Sequence, residues 1–296
     1  MGKALAEAFP VCRDTFEEAD AALGWPLSRM CFEGPADQLA LTENTQPATL
    51  AVSMAAYRLL ASRGLVPSFV AGHSLGEYSA NVAAGTFGFA DALTLVRRRG
   101  RYMQEAVPAG AGAMAAVLGL DAALVAQACR EAMPFSEGEV VSPANMNGAG
   151  QVVIAGSRDA VARAGARAKA LGARRVIPLP VSAPFHCALM KPAEDRLAPE
   201  LRALPVQKPR VPIVANLDAE PKYDARSAIE ALVAQVSSPV RWDAAVRRLA
   251  SEGVTTYVEV GPGTVLSGLV RKIHREARVA SFGSPDDLAA VEELMN

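Results

Sequence analysis

Apolar residues recur at helical spacing through most of the first 65 positions, over 4–9, 15–23 and 47–60. Pro47 is expected in the first turn of the third of these helices, where a proline's missing N–H is not needed. The pattern then changes to a short apolar run at 68–71, followed by helical stretches over 75–84 and 90–105. Asp91 falls in the first turn of the latter, where a carboxylate suits the helix dipole. Ala109-Gly110-Ala111-Gly112 reads as a hinge. Beyond it come a strand at 114–118, a helix capped by Asp121 and running to about 132, and strands at 140–144 and 151–155 joined by Asn147-Gly148-Ala149-Gly150. A helix capped by Ser157 then runs to 171, and a further strand covers 174–179. The order βαββαβ is that of the ferredoxin-like split unit. Afterwards a strand at 211–215, helices at 225–235 and 241–251, and a strand at 256–260 follow. Gly261-Pro262-Gly263 turns the chain into a helix ending at 273, and a last strand covers 278–282.

Strands alternating with helices imply a parallel sheet covered on both faces. The expected fold is therefore α/β: a large α/β-hydrolase-like domain with a parallel central sheet, formed by residues 1–110 and 182–296. It is interrupted by a small ferredoxin-like subdomain over 111–181. A cleft between two such bodies is a natural substrate site.

Composition narrows the function classes. With 51% apolar and 21% charged residues among 296, the chain has the make-up of an ordinary globular protein. A formal net charge of −1 gives no global field for nucleic acid or an anionic membrane. No apolar run reaches the length of a membrane span, and Met1-Gly2-Lys3 passes straight into helical periodicity without a signal peptide. Cys12, Cys31, Cys129 and Cys187 lack metal-ligand spacing, so no metal site is expected, and reduced thiols in a cytoplasmic protein are the simplest account. Arg97, Arg98, Arg99 and Arg101 form a basic cluster suited to an acidic substrate.

The chemistry centres on Gly72-His73-Ser74-Leu75-Gly76, at the junction of the apolar run and a helix. A serine on a sharp strand-to-helix turn projects its hydroxyl outward and faces backbone N–H groups of the helix start. The flanking glycines are expected to avoid collisions between strand and helix. A bare G-x-S-x-G arises by chance in about one chain in ten of this length, so the strand-turn-helix context is what makes Ser74 a candidate nucleophile. A serine nucleophile needs a base. His73 precedes Ser74 on the turn, so its side chain should point away; His274, between Lys272 and Arg275 along a late helix end, reads as a solvated cation. His186, after Ser182-Ala183-Pro184-Phe185 where the insert rejoins the main body, is left by elimination. No Asp or Glu between Ser74 and His186 has a convincing strand-end position, which leaves a dyad whose imidazole is oriented by a backbone carbonyl.

Seven segments together resemble the malonyl-CoA:acyl carrier protein transacylase family, the acyltransferase domain of fatty-acid and polyketide synthesis. They are Thr45-Gln46-Pro47-Ala48, residues 72–80, residues 103–108, residues 151–156, Ala183-Pro184-Phe185-His186, Ser238-Pro239-Val240-Arg241-Trp242 and Glu259-Val260-Gly261-Pro262-Gly263. The resemblance implies that Ser74 is acylated by malonyl-CoA with His186 as base, and that the Gln235 backbone carbonyl orients His186. It further implies that the Leu75 N–H donates to the oxyanion, that Arg99 pairs bidentately with the malonyl carboxylate, and that Gln46, Asn145 and His73 line the site. Phe185 and Leu75 resemble malonyl-selective members; steric discrimination of one methyl branch is worth about 1–3 kcal/mol. No resident cofactor is implied. The substrates would be malonyl-CoA and phosphopantetheinylated acyl carrier protein, an acidic partner met by rim arginines, and a monomer is expected.

Members of this family ordinarily open with a buried strand and a Gly-Gln-Gly-x-Gln loop, whose glutamine gives a second oxyanion N–H. Neither is found ahead of Met1 in this sequence. Loss of one such donor costs roughly 10²–10³ in turnover, and an absent strand exposes a sheet edge and apolar helix faces. Impaired activity, or another element in the gap, is expected. The competing functions are a serine hydrolase or thioesterase with the same Ser–His chemistry, and a non-catalytic carrier-protein-binding module.

Overall fold

The computed structural model describes every residue except 133–137, 182 and 296; Ser182 of the segment leading to His186 thus lies outside the described residues. The helical N-terminal region comprises α1 (Lys3–Ala8), α2 (Pro10–Leu23), α3 (Leu27–Glu33), α4 (Ala36–Ala40) and α5 (Thr42–Ser62). β1 (Val70–Ala71) leads into α6 (Leu75–Ala84), and α7 (Phe89–Glu105) follows. Pro47 lies inside α5, not in its first turn. The upstream turn forms because the Asn44 and Thr45 N–H groups both donate to Leu41 O at 2.8 Å, and Asn44 Nδ2 reaches Gln38 O at 2.9 Å. The helix is therefore already started before the proline removes one bond.

The second body holds β2 (Gly112–Leu118), α8 (Ala122–Glu131), β3 (Val141–Gly148), β4 (Gln151–Ser157), α9 (Arg158–Ala170) and β5 (Arg175–Pro178). Its antiparallel sheet has the order β3-β4-β2-β5. One face packs Val117 and Ile154 against Val125 of α8 and Val161 of α9. Met114, Ala116, Val153 and Ala155 on the other face meet Cys187, Phe185 and Leu189. Asp121 caps α8 through Ala123 N–H at 2.8 Å, as expected. Ser157 sits at the start of α9 but makes no cap bond; its hydroxyl accepts instead from Val140 N–H at 3.2 Å, holding the entry to β3.

The chain returns through α10 (Lys191–Arg202), β6 (Ile213–Val214), β7 (Pro221–Lys222), α11 (Ala225–Gln235), α12 (Trp242–Ser251), β8 (Thr256–Val260), α13 (Val265–Ile273), β9 (Arg278–Phe282) and α14 (Leu288–Met295). β1 pairs in parallel with β6, which carries β7 antiparallel, and β8 pairs in parallel with β9. The two parallel pairs form separate sheets. A groove of about 920 Å³ lies between them, lined by residues of both β1 and β8 and by Ser53, Tyr57 and Ser79 of the flanking helices. The main core lies among α2, α5, α7 and α10, with Phe16, Leu50, Leu93 and Leu197 at its centre. Backbone bonds also stitch the second body to the first, with Met146 N–H donating to Val240 O and Val240 N–H to Ala144 O, each at 2.8 Å.

Candidate active site

Ser74 occupies the turn between β1 and α6 with φ 53° and ψ −108°, a backbone region that L-residues seldom adopt. Two side chains, those of Asn216 and Gln235, hold it there through three hydrogen bonds. The Ser74 N–H donates to Asn216 Oδ1 at 2.7 Å, Asn216 Nδ2 donates to Gly72 O at 2.7 Å, and Gln235 Nε2 donates to Ser74 O at 2.9 Å. The two flanking glycines differ in what they do. A Cβ on Gly72 would stand 2.0 Å from the Gly76 carbonyl, whereas a Cβ on Gly76 would meet nothing. Only Gly72 is required by close approach; the expected collision at Gly76 does not exist.

His186, 3% exposed, meets Ser74 from the segment after β5: its Nε2 lies 2.6 Å from Ser74 Oγ, and its Nδ1 lies 3.0 Å from the Gln235 carbonyl oxygen. A carbonyl can only accept, so Nδ1 carries the proton and Nε2 is left with its lone pair toward the serine hydroxyl. Burial first, and the nearby Arg99 guanidinium second, push the imidazole pKa down to about 3, so the ring is neutral near pH 7. Among the described residues no carboxylate is bonded to this histidine; the orienting group is the backbone carbonyl of Gln235.

Arg99, 2% exposed, reaches in from α7. One terminal nitrogen donates to Gln46 Oε1 at 2.8 Å; the other donates to Gln235 Oε1 at 3.0 Å and to Ser74 Oγ at 3.2 Å. Its Nε has no acceptor among the described residues. Burial lowers its pKa from the ordinary value, yet guanidinium remains a cation at any working pH. A buried positive charge thus stands beside the serine oxygen, held by uncharged acceptors. The Leu75 N–H opens α6 and has no acceptor among the described residues, leaving it free for a developing oxyanion.

The remaining sequence candidates gather around these groups to different degrees. Gln46 contacts Arg99 directly, with its Nε2 3.9 Å from Met103 Sδ. Asn145 is buried in β3 at the stitch to Val240. Phe185 is half-buried between the two cores. His73 turns away from Ser74: its Nε2 bonds Asn147 Oδ1 at 3.0 Å and its ring lies 5.8 Å from that of Trp242, so it ties the elbow to β3. His274 does not stand free in solvent as expected, being partly buried. Its Nδ1 lies 3.1 Å from the Tyr257 hydroxyl, which the helix end brings against it.

Two residues of the site went unread in the sequence. Asn216, just past β6, stands where the ends of parallel strands usually present site residues, and that position was the available signal. Glu77, in the first turn of α6, is 1% exposed; its Oε2 accepts from Gln235 Nε2 at 2.7 Å and from Asn216 N–H at 3.0 Å. Burial raises its pKa to about 7, against the lowering effect of those two bonds. All four cysteines are free and buried, with burial pushing the thiol of Cys187, next to His186, up to about 11.

The acyl transferase domain family matches residues 1–288. The malonyl CoA-acyl carrier protein transacylase of Escherichia coli (strain K12) is 50% identical over 291 residues, covering 98% of this chain and 93% of that protein. The solved acyl carrier protein S-malonyltransferase of Vibrio cholerae superposes with a TM-score of 0.95 at 46% identity, covering 98% of this chain and 94% of that one. A malonyl-transacylase solved in complex with a type II PKS acyl-carrier protein superposes equally well, with a TM-score of 0.95 at 46% identity over 99% of this chain and 94% of that one.

Proposed function

The chain belongs to the acyl transferase domain family, and on that footing we propose that it moves a malonyl group from coenzyme A to the phosphopantetheine thiol of acyl carrier protein. The observation that carries the mechanism is one oxygen with two neighbours: Ser74 Oγ lies 2.6 Å from a neutral imidazole nitrogen and 3.2 Å from a buried guanidinium. The first contact serves a nucleophile; the second selects a substrate bearing a negative charge near the reacting carbonyl.

In the first half-reaction Ser74 Oγ gives its proton to His186 Nε2 and attacks the malonyl thioester carbonyl. The carbonyl oxygen becomes an oxyanion and takes the Leu75 N–H. The C–S bond then breaks, and the departing coenzyme A thiolate receives the proton from His186. In the second half-reaction the phosphopantetheine thiol gives its proton to His186 and attacks the acyl-serine. The C–Oγ bond breaks and Ser74 recovers the proton. Gln235 O supports the imidazolium that forms in each half.

Arg99 holds the malonyl carboxylate, a planar fork matched to two oxygens, and gives malonyl its advantage over acetyl. Gln46 and Asn145 line the acyl pocket, His73 braces its wall, and Phe185 fills the space of an α-branch. Residues 1–110 and 182–296 form the body carrying this machinery, and 111–181 the smaller one; substrates enter along the seam. No resident cofactor takes part in these steps. No helix among the described residues is long and apolar enough to cross a membrane, and we place the reaction in the cytoplasm.

Exposure to malonyl-CoA followed by mass spectrometry tests the proposal. The expected product is a malonyl adduct on the Ser74 peptide, absent from Ser74→Ala, that passes to holo acyl carrier protein in preference to water. A protein that stays unmodified, or whose adduct is only hydrolysed, contradicts it.

A further inference from the structure

Arg99 is held without any ion pair of its own among the described residues. The nearest carboxylate network is Glu77, and one carboxamide separates the two groups. Glu77 Oε2 accepts from Gln235 Nε2 at 2.7 Å, while Gln235 Oε1 accepts from Arg99 at 3.0 Å. The orientation of that amide is dictated. Its NH2 end faces the Glu77 carboxylate and the Ser74 carbonyl, both acceptors, so its oxygen is turned toward the guanidinium, which can only donate.

A carboxylate in direct contact with Arg99 would compete with the carboxylate of an incoming acyl group. A neutral amide oxygen fixes the guanidinium and leaves its charge unspent. We infer that Glu77 is a positioning residue for substrate selection: acting through the Gln235 carboxamide, it holds Arg99 open for the acyl carboxylate. The inference rests on the assignment of Arg99 to that carboxylate and names what keeps Arg99 available. The same Gln235 orients His186 through its backbone, and Glu77 also anchors Asn216, which grips the Ser74 N–H. The raised pKa of Glu77 fits a buried carboxylate with no cation in direct contact.

The readout is the ratio of malonyl to acetyl adduct formed on Ser74 when the full chain is offered both coenzyme A esters together, with folding checked by circular dichroism. Glu77→Met removes the acceptor at similar length and is expected to lower the ratio at least fivefold. Glu77→Gln can still offer an oxygen to Gln235 and Asn216 and is expected to restore most of the ratio. Gln235→Met cuts the relay while leaving the backbone carbonyl, and should lower the ratio as Glu77→Met does. The double variant should fall no further than either single, because both act through one link. A folded Glu77→Met protein with the parental ratio, or losses that multiply in the double variant, overturns the inference. If Glu77→Met does not fold, an unchanged ratio in Gln235→Met overturns it instead. Arg99→Met separates the two levels: if that variant keeps the ratio, the carboxylate assignment falls and takes the Glu77 role with it. If Arg99→Met collapses the ratio while the relay variants do not, only the Glu77 role is lost.

Discussion

His186 and Glu77 sit within the same buried network and respond to pH in opposite senses. The His186 pKa falls from 6.5 to about 3 in the folded protein, so below pH 6.5 the unfolded chain takes up a proton that the native state refuses. Its contribution to stability is full above 6.5 and is lost as pH falls toward 3. His73, lowered by burial, acts in the same direction. Glu77, raised from 4.5 to about 7, favours the folded state fully below 4.5 and loses that advantage as pH rises through 7. Thermal melts between pH 4 and 6.5 should therefore show a shallower rise of Tm with pH in His186→Gln than in the parent; parallel curves would contradict the assignment. The elbow offers a second residue-level contrast. Gly72→Ala forces a methyl onto the Gly76 carbonyl and should cost about 3 kcal/mol or more, whereas Gly76→Ala should stabilise by up to about 1 kcal/mol through helix propensity. Denaturant melts of the two variants distinguish the outcomes. Ser74 and His186 were legible because a motif and elimination singled them out. Arg99 was one arginine in a basic run, and only the family resemblance picked it out. Glu77 was hidden because an acid in a first helical turn ordinarily faces solvent and serves the dipole.

Helix α7 carries Arg99 into the site, and its position is set one residue later, where it crosses the start of α5. A Cβ on Gly100 would lie 2.6 Å from Thr42 O and 2.7 Å from Glu43 Cα. Gly100→Ala should push the two helices apart, at about 1–3 kcal/mol of overpacking, and move the guanidinium with them. The expected outcome is a lower Tm together with a reduced malonyl-to-acetyl ratio; an altered Tm with an intact ratio would show that Arg99 is placed independently of this crossing. Most elements could be read from periodicity alone, α11 and β9 to the residue, because each has one clear apolar face. The start of α5 could not, since side-chain bonds to α4 extend it upstream of Pro47. Helix α10 escaped notice because Pro192 and Pro199 interrupt its pattern.

At the scale of the whole molecule, the order of strands along the chain does not say which edges meet. The second body was legible as a unit because its four strands are consecutive and pair locally. The parallel strands are separated by long segments, and they fall into two pairs facing a common groove. Their phase follows from bonds at the ends: Val70 N–H is bonded to Pro212 O, Arg278 N–H to Thr255 O and Gly261 N–H to Phe282 O. Alternation along a parallel strand then turns Ala71, Thr256, Val258 and Val260 toward the groove. Hydrogen exchange should be fast at these four amides and slow at Val70, Tyr257 and Glu259; uniform protection would mean that the groove is filled in solution. The buried cysteines bear on a different hazard. On the proposed mechanism the acyl group rests on Ser74 as an ester, and Cys187 lies one residue from His186, the proposed base. Its Sγ–H is spent on Pro184 O at 3.0 Å and is hard to ionise, as are those of Cys12, Cys31 and Cys129. On that mechanism, then, none of the four cysteines offers a ready thiolate to an acyl-serine, and the accepting sulfur is one delivered from outside.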